Sequence, residues 1–242
     1  LNRCKMDQDK HIICVKWGNK FIHEYVNILK NMCKRQSTVN FTFNCLTDDP
    51  TGLDPDINVI KFPDNPGAIK TWWSKLYMFH KDLPLSGELL YFDLDVVIFR
   101  NIDNLWTYNA GQNKLMIIQD FNRCRMEDWK VSNSSVMRFT AGTLHYLWEM
   151  YAQNPHAVQG RMHGDQDWIT SKGTKDIVWW PRTWIQSYKW ELVGKKDTKI
   201  KNGAKHVFQH PPTIPDDCSV AVFHGEPKPF NCGDPLVVDN WK

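Results

Sequence analysis

Gly87-Glu88-Leu89-Leu90-Tyr91-Phe92-Asp93-Leu94-Asp95-Val96-Val97-Ile98-Phe99 is the stretch on which the reading of this chain turns. Gly87 to Phe92 is an apolar strand that runs straight into Asp93-Leu94-Asp95 and continues as Val96 to Phe99, so two acids interrupt what should be the centre of a sheet. Period two puts Asp93 and Asp95 on the same side of an extended chain, about 7 Å apart along it, with Leu94 turned toward the core. Burying two carboxylates that close without compensation is costly, so they call for a bound divalent cation or a basic partner such as Arg100 or Lys75. Their hard oxygens suit Mg²⁺ or Mn²⁺, which complete their shells with water and phosphate.

Working outward, apolar runs alternate with segments of helical period, the pattern of an α/β domain. His11 to Trp17 reads as a buried strand, and Phe21 to Arg35 as an amphipathic helix with Phe21, Tyr25, Ile28 and Met32 on one face. Strand Val39 to Leu46 ends in the turn cluster Thr47-Asp48-Asp49-Pro50-Thr51-Gly52, strand Asn58 to Phe62 follows, and Thr71 to His80 is helical with Trp72, Leu76 and Phe79 aligned. Later strands are expected at Lys114 to Gln119, Ser132 to Phe139, Ile177 to Trp180 and Ser219 to Phe223, and helices at Thr143 to Gln153 and Gln166 to Ser171. The basic stretch Gly194 to His206, with Lys195, Lys196, Lys199, Lys201 and Lys205, reads as a solvated loop or as one that closes over an anion. Trp179, Trp180, Trp184 and Trp190 can pack in the core or stack on sugar rings.

Thirty Lys and Arg against 27 Asp and Glu give a net charge of +3 over 242 residues, too little to attract nucleic acid in general. No apolar run approaches the ~20 residues that span a bilayer, so no integral membrane association is expected. The 7 cysteines include no CxxC pair and lie mostly in apolar segments, which fits a reducing compartment, and the polar start lacks a secretory h-region. A cytoplasmic protein is expected.

The segment from Glu88 to Ile98 resembles the DxD segment of nucleotide-sugar-dependent glycosyltransferases with the GT-A fold, in particular the retaining family of glycogenin and the bacterial lipopolysaccharide galactosyltransferases. Three further segments fall in that family's order: Ser132-Asn133-Ser134-Ser135-Val136-Met137, Asp165-Gln166-Asp167, and His224-Gly225-Glu226-Pro227-Lys228-Pro229-Phe230. Ser135 stands where the family has Gly, Phe230 where it has Trp, and His224 and Gly225 are adjacent rather than spaced. Val15 to Phe21 and the Thr47-Asp48-Asp49 loop sit where that fold builds its nucleotide pocket.

The resemblance implies a single GT-A (Rossmann-like) α/β domain over 1–242, with a central mixed, mostly parallel sheet flanked by helices. Its nucleotide-binding part would be about 1–110 and its acceptor side about 111–242. It implies Mn²⁺ (or Mg²⁺) on Asp93, Asp95 and His224. Donor contacts would come from Val15, Trp17, Gly18, Asp48, Asp49, Lys75, Asp93, Leu94, Asn133, Ser134, Gly225 and Lys228, and the catalytic candidates are Asp165, Gln166 and Asp167. In a retaining enzyme Gln166 would lie on the reacting face of the sugar; in an inverting one Asp165 or Asp167 would be the base, although Asp165 after Gly164 also fits a helix N-cap. The partners implied are a nucleotide sugar, with UDP favoured, and a glycan or lipopolysaccharide-like acceptor. A divalent-metal phosphohydrolase or nucleotidyltransferase using the acid pair, and a non-catalytic carbohydrate-binding protein built on the tryptophans, are the alternatives.

Overall fold

A computed structural model describes residues 9–63, 71–126, 128–194, 196–209 and 213–242. The strands of its main sheet are β1 (Lys10–Lys16), β2 (Thr42–Thr47), β3 (Asn58–Lys61) and β4 (Glu88–Phe92), and after β5 (Val96–Ile98) come β6 (Leu115–Gln119), β7 (Ser132–Thr140) and β8 (Ile177–Trp179). Seven of these order as β3-β2-β1-β4-β7-β6-β8. The pairs β2–β3, β1–β2, β1–β4 and β6–β8 are parallel, whereas β7 runs antiparallel to β4 and β6. This is the mixed, mostly parallel α/β sheet expected from the sequence.

A parallel sheet covered on both faces needs strands that are apolar all along, and β1 and β4 meet that need. Ile12, Cys14, Leu90 and Phe92 point into one core, beneath helix α1 (His23–Gln36), and Ile13, Leu89 and Tyr91 into the other. Helix α1 buries Tyr25, Val26, Leu29, Met32 and Cys33, a stripe at helical spacing, and burying one such leucine contributes about 2 kcal/mol. Gly87 starts β4 at φ +84°, where a Cβ would fall 2.1 Å from the Asp9 carbonyl oxygen that accepts Glu88 N–H. Only glycine fits there.

The acid pair is not in mid-strand. After Phe92 the backbone leaves the main sheet, turns through Asp93, Leu94 and Asp95, and enters a second sheet as β5. That sheet is β5-β12-β9, built with β9 (Ile185–Ser187) and, beyond the hairpin of β10 (Lys196–Lys201) and β11 (Ala204–Gln209), β12 (Val220–Val222). Leu94 is buried, as expected, and acts as the pivot between the sheets. The sequence reading missed the break because apolar residues continue on both sides of the acids.

Thr71–Phe79 is a 3-10 helix rather than an α-helix. At three residues per turn Trp73, Leu76 and Phe79 face inward together, and Trp72 is left 51% exposed, where helical spacing had placed it in the core. The remaining described α-helices are α2 (Asp103–Thr107), α3 (Tyr146–Gln153), α4 (Pro155–Gln159), α5 (Asp165–Gly173) and α6 (Pro235–Asn240). The basic Gly194 to His206 stretch is largely the β10–β11 hairpin, and Lys195 lies outside the described residues. Trp180 is core, with its indole N–H donating to the Val136 carbonyl at 3.1 Å. The six described cysteines are free, Cys4 lies outside the described residues, and no described helix is long and apolar enough to cross a membrane.

Candidate active site

The carboxyl ends of β1 and β4 open into a cleft of about 290 Å³, the place where open α/β sheets bind ligands. Val15, Trp17 and Gly18 continue from β1 along one wall, Trp72, Ser74 and Lys75 form the other, and Asp93, Leu94 and Asp95 make the floor. Asn19, Lys20 and Phe21, from the Val15 to Phe21 segment expected at the nucleotide pocket, also line it, and so does Tyr91, which sequence reasoning did not single out. Gly18 has φ +64° and open space around its Cβ position, while its N–H donates to both oxygens of Asp48 at 3.0 and 3.1 Å. Asp48 thus fixes the Gly18 backbone rather than lining the cleft. Asp49 caps its own turn by accepting from Thr51 N–H at 3.0 Å.

Lys75, carried on the buried side of the 3-10 helix, organises the floor. Its ammonium lies 2.9 and 3.2 Å from the two oxygens of Asp93, donates to Ser134 Oγ at 3.0 Å, and is 3.6 Å from Asp165. Ser134 donates onward to Asp165 Oδ2 at 2.6 Å, and the Tyr91 hydroxyl donates to Asp93. Tyr91 and Asp93 are two residues apart, which is the spacing that could have flagged Tyr91. Burial alone would raise the Asp93 carboxyl, but Lys75, Tyr91 and Ser135 outweigh it and hold it below the usual carboxylate range. Asp165 moves the other way: burial lifts it above that range despite Lys75 and Ser134. Of the two basic partners considered for the acid pair, Lys75 is engaged, whereas Arg100 donates to the carbonyls of Pro215, Asp216 and Cys218.

Asp95 has a separate partner. Its backbone carbonyl accepts Phe223 N–H at 3.1 Å, extending the β5–β12 ladder, and its carboxylate receives the Lys228 ammonium at 2.5 Å, with both side chains largely buried. Burial, then the field of Asp93, raise the Asp95 carboxyl even so. Asp165 is buried and Asp93 and Asp95 are largely so, and these three carboxylates share two ammonium groups, an excess of negative charge that, with the all-oxygen pair Asp93 and Asp95, fits a divalent cation. The expected triad with His224 is not assembled. His224 Nε2 is 2.6 Å from Ser187 Oγ and its ring stacks on Phe121, and no three metal-ligating side chains converge among the described residues. Burial, then Lys189, Lys228 and Arg125, against Asp120, depress the His224 imidazole to about 4, so it is neutral.

The other sequence candidates lie outside the cleft's lining. Asn133 and Ser134 lie at the start of β7, and Asn133 Nδ2 reaches Gln166 Oε1 at 3.5 Å. Helix α5 is capped by Gly164, not by Asp165, whose carboxylate turns inward to Ser134 because that polar partner is buried with it. Asp167 accepts His163 N–H at 3.2 Å and is not drawn into the Lys75 network. Gly225 follows His224 at φ +76°, with Lys189 Nζ 2.8 Å from its Cβ position.

No family model and no curated protein matches the sequence. Solved structures match closely in shape. The galactosyltransferase LgtC in complex with donor and acceptor sugar analogs aligns at 15% identity with a TM-score of 0.63, and a glutamine-to-glutamate active-site mutant of LgtC at 14% and 0.64, each over 96% of both chains. The apo form of the glycosyltransferase GlyE from Streptococcus pneumoniae TIGR4 aligns at 12% identity and a TM-score of 0.60, over 95% of this chain and 59% of GlyE. What is shared at such identities is the fold, and it is the GT-A fold that the sequence motifs led us to expect.

Proposed function

We propose that the protein is a glycosyltransferase that moves a sugar from a nucleotide-sugar donor, a UDP-sugar, to a hydroxyl group of a glycan acceptor with retention of configuration. The observation that carries this reading is the Asp93-Leu94-Asp95 turn, held by Lys75 and Lys228 at the floor of a cleft at the sheet's carboxyl edge. A fold shared with LgtC bound to sugar donor and acceptor analogs supports it. The alternatives explain less: a phosphohydrolase would want a further acidic cluster, and a lectin-like protein needs no buried acid pair.

In the transfer, the bond from the anomeric carbon to the diphosphate breaks with its electron pair leaving on the diphosphate. An acceptor hydroxyl oxygen bonds to that carbon and its proton passes to an oxygen of the departing diphosphate. Asp93 and Asp95 would hold Mn²⁺ or Mg²⁺, which when bound supplies positive charge to the leaving group. His224, neutral, would join them only after exchanging Ser187 for the cation. Lys228, once off Asp95, is a point charge for the diphosphate, and Gly18 with Trp17 and Val15 borders the nucleotide. Lys75 positions Asp93 and Asp165. The Asp165 carboxylate is engaged by Ser134 and Lys75 and Asp167 lies outside that network, so we assign neither as the base, and the amide of Gln166 serves to orient the sugar. This favours retention. We read 1–242 as one catalytic domain, since its second half supplies Lys228 to the floor made by the first.

Calorimetric titration of UDP, UDP-sugars and GDP-sugars into wild type and Asp95→Asn, with Mn²⁺ and with chelator, tests the reading. Metal-dependent UDP binding that the variant loses is expected, and product NMR should then show a retained anomer. Nucleotide binding indifferent to both metal and substitution would overturn the metal site, and no nucleotide binding at all would overturn the function.

A further inference from the structure

The three strands of the small sheet end together. Val222 pairs with both Ser187 and Val96, and Phe223 continues onto Asp95, so Asp95, His224 and Lys189 emerge from one edge, beside the cleft floor. Lys189 and a second cation, Arg125, gather on Trp190 at this edge. The Lys189 ammonium is 5.7 Å from the indole centroid and the Arg125 guanidinium 4.3 Å, while His224 meets the same indole edge-on at 4.5 Å. Arg125 follows directly on the 3-10 turn Phe121–Cys124, whose Phe121 ring stacks on His224, so its position is set by packing against the site.

The acids near this edge have other partners, although those of Asp120 are uncharged and leave its charge in place. Lys228 holds Asp95; Arg123 and Ser187 N–H hold Glu191; Asn122 and the Trp129 indole hold Asp120. Among the described residues neither Lys189 nor Arg125 has a carboxylate within ion-pair distance. Two cations gathered on one indole raise the local positive potential, and an oxyanion bound there gains a guanidinium fork and an ammonium point charge. Neither residue lines the cleft that would hold the nucleotide, which leaves the acceptor as the other molecule of the transfer that could carry this anion.

We propose that Lys189 and Arg125 form a subsite for an oxyanion substituent, phosphate or carboxylate, on the acceptor, which makes the acceptor an acidic sugar. The inference rests on the glycosyltransferase reading for its account of what lies beside it, and its test separates the two. Wild type saturated with UDP and Mn²⁺ is titrated by NMR with glucose 6-phosphate, glucuronate and glucose, alongside Lys189→Gln/Arg125→Gln and the charge-keeping Lys189→Arg. At least one anionic sugar is expected to bind wild type and Lys189→Arg ten-fold or more tighter than glucose, with phosphate and carboxylate distinguished by which one does. The double variant is expected to bring that preference below about three-fold and to leave UDP affinity unchanged. Equal binding of charged and neutral sugars to wild type overturns the subsite, and so does a ten-fold loss of UDP affinity in the double variant, which would assign the cations to the donor. UDP binding by wild type is read separately: its absence alongside a preserved anionic preference would overturn the function and not the subsite.

Discussion

Lys75→Met tests the organising role of the buried ammonium. Methionine fills much the same volume, so the substitution removes charge and hydrogen bonds rather than packing. It strips Asp93 of contacts at 2.9 and 3.2 Å and Asp165 of one at 3.6 Å, leaving two buried carboxylates without a counter-ion. Breaking a buried ion pair by removing one partner costs about 3–5 kcal/mol, which in a domain of this size lowers the melting temperature on the order of 10 °C. The sign of the pH dependence separates this from lost packing. In wild type Asp93 has a depressed folded pKa, so its contribution is present above the unfolded value and fades as pH falls through the folded one. In the variant, burial raises both carboxyls above their unfolded value; the penalty is full above the raised folded pKa and vanishes as pH falls toward about 4. Urea denaturation followed by tryptophan fluorescence at several pH values between 8 and 4.5 should show the gap between the two proteins narrowing with acid. A loss under about 1 kcal/mol at neutral pH, or one of constant size across the range, would refute the assignment.

Two more substitutions probe neighbouring parts of the site. Lys228→Met frees the Asp95 carboxylate, so Mn²⁺ alone should bind more tightly by calorimetry while UDP with saturating Mn²⁺ binds more weakly; a fall in both would mean the pair is only structural. Gly87→Ala puts a Cβ against the Asp9 carbonyl at 2.1 Å in a left-handed backbone, and a loss of at least about 2 kcal/mol is expected in denaturant titration. A near-neutral result would show that the Asp9–Glu88 junction yields easily.

The strands of the main sheet were legible because apolar runs bounded by turn residues carry their own signal, and the acid pair because carboxylates do not interrupt a buried run without cause. What escaped was set by distance. Nothing local distinguishes Thr71–Phe79 as a 3-10 helix, yet that choice turns Trp72 outward and aims Lys75 at Asp93. Strand β9 is three residues within a tryptophan-rich segment, and it is a strand because β12 pairs with it. For the same reason Asp165 looked like a cap: the buried Ser134 that draws its carboxylate inward is 31 residues away.

The order in which the site's parts are synthesised has its own consequence. The main sheet has its last strand by Trp179, whereas the β12 partner of β5 and the ammonium on Asp95 come from residues 220–228. While the chain is still on the ribosome, the residues lining the cleft are already made, but Asp95 has neither the strand that neighbours β5 nor its own counter-ion. On the proposed reading such a nascent chain has no early activity, and a proteolytic clip after Pro215 would silence the protein while sparing the main sheet.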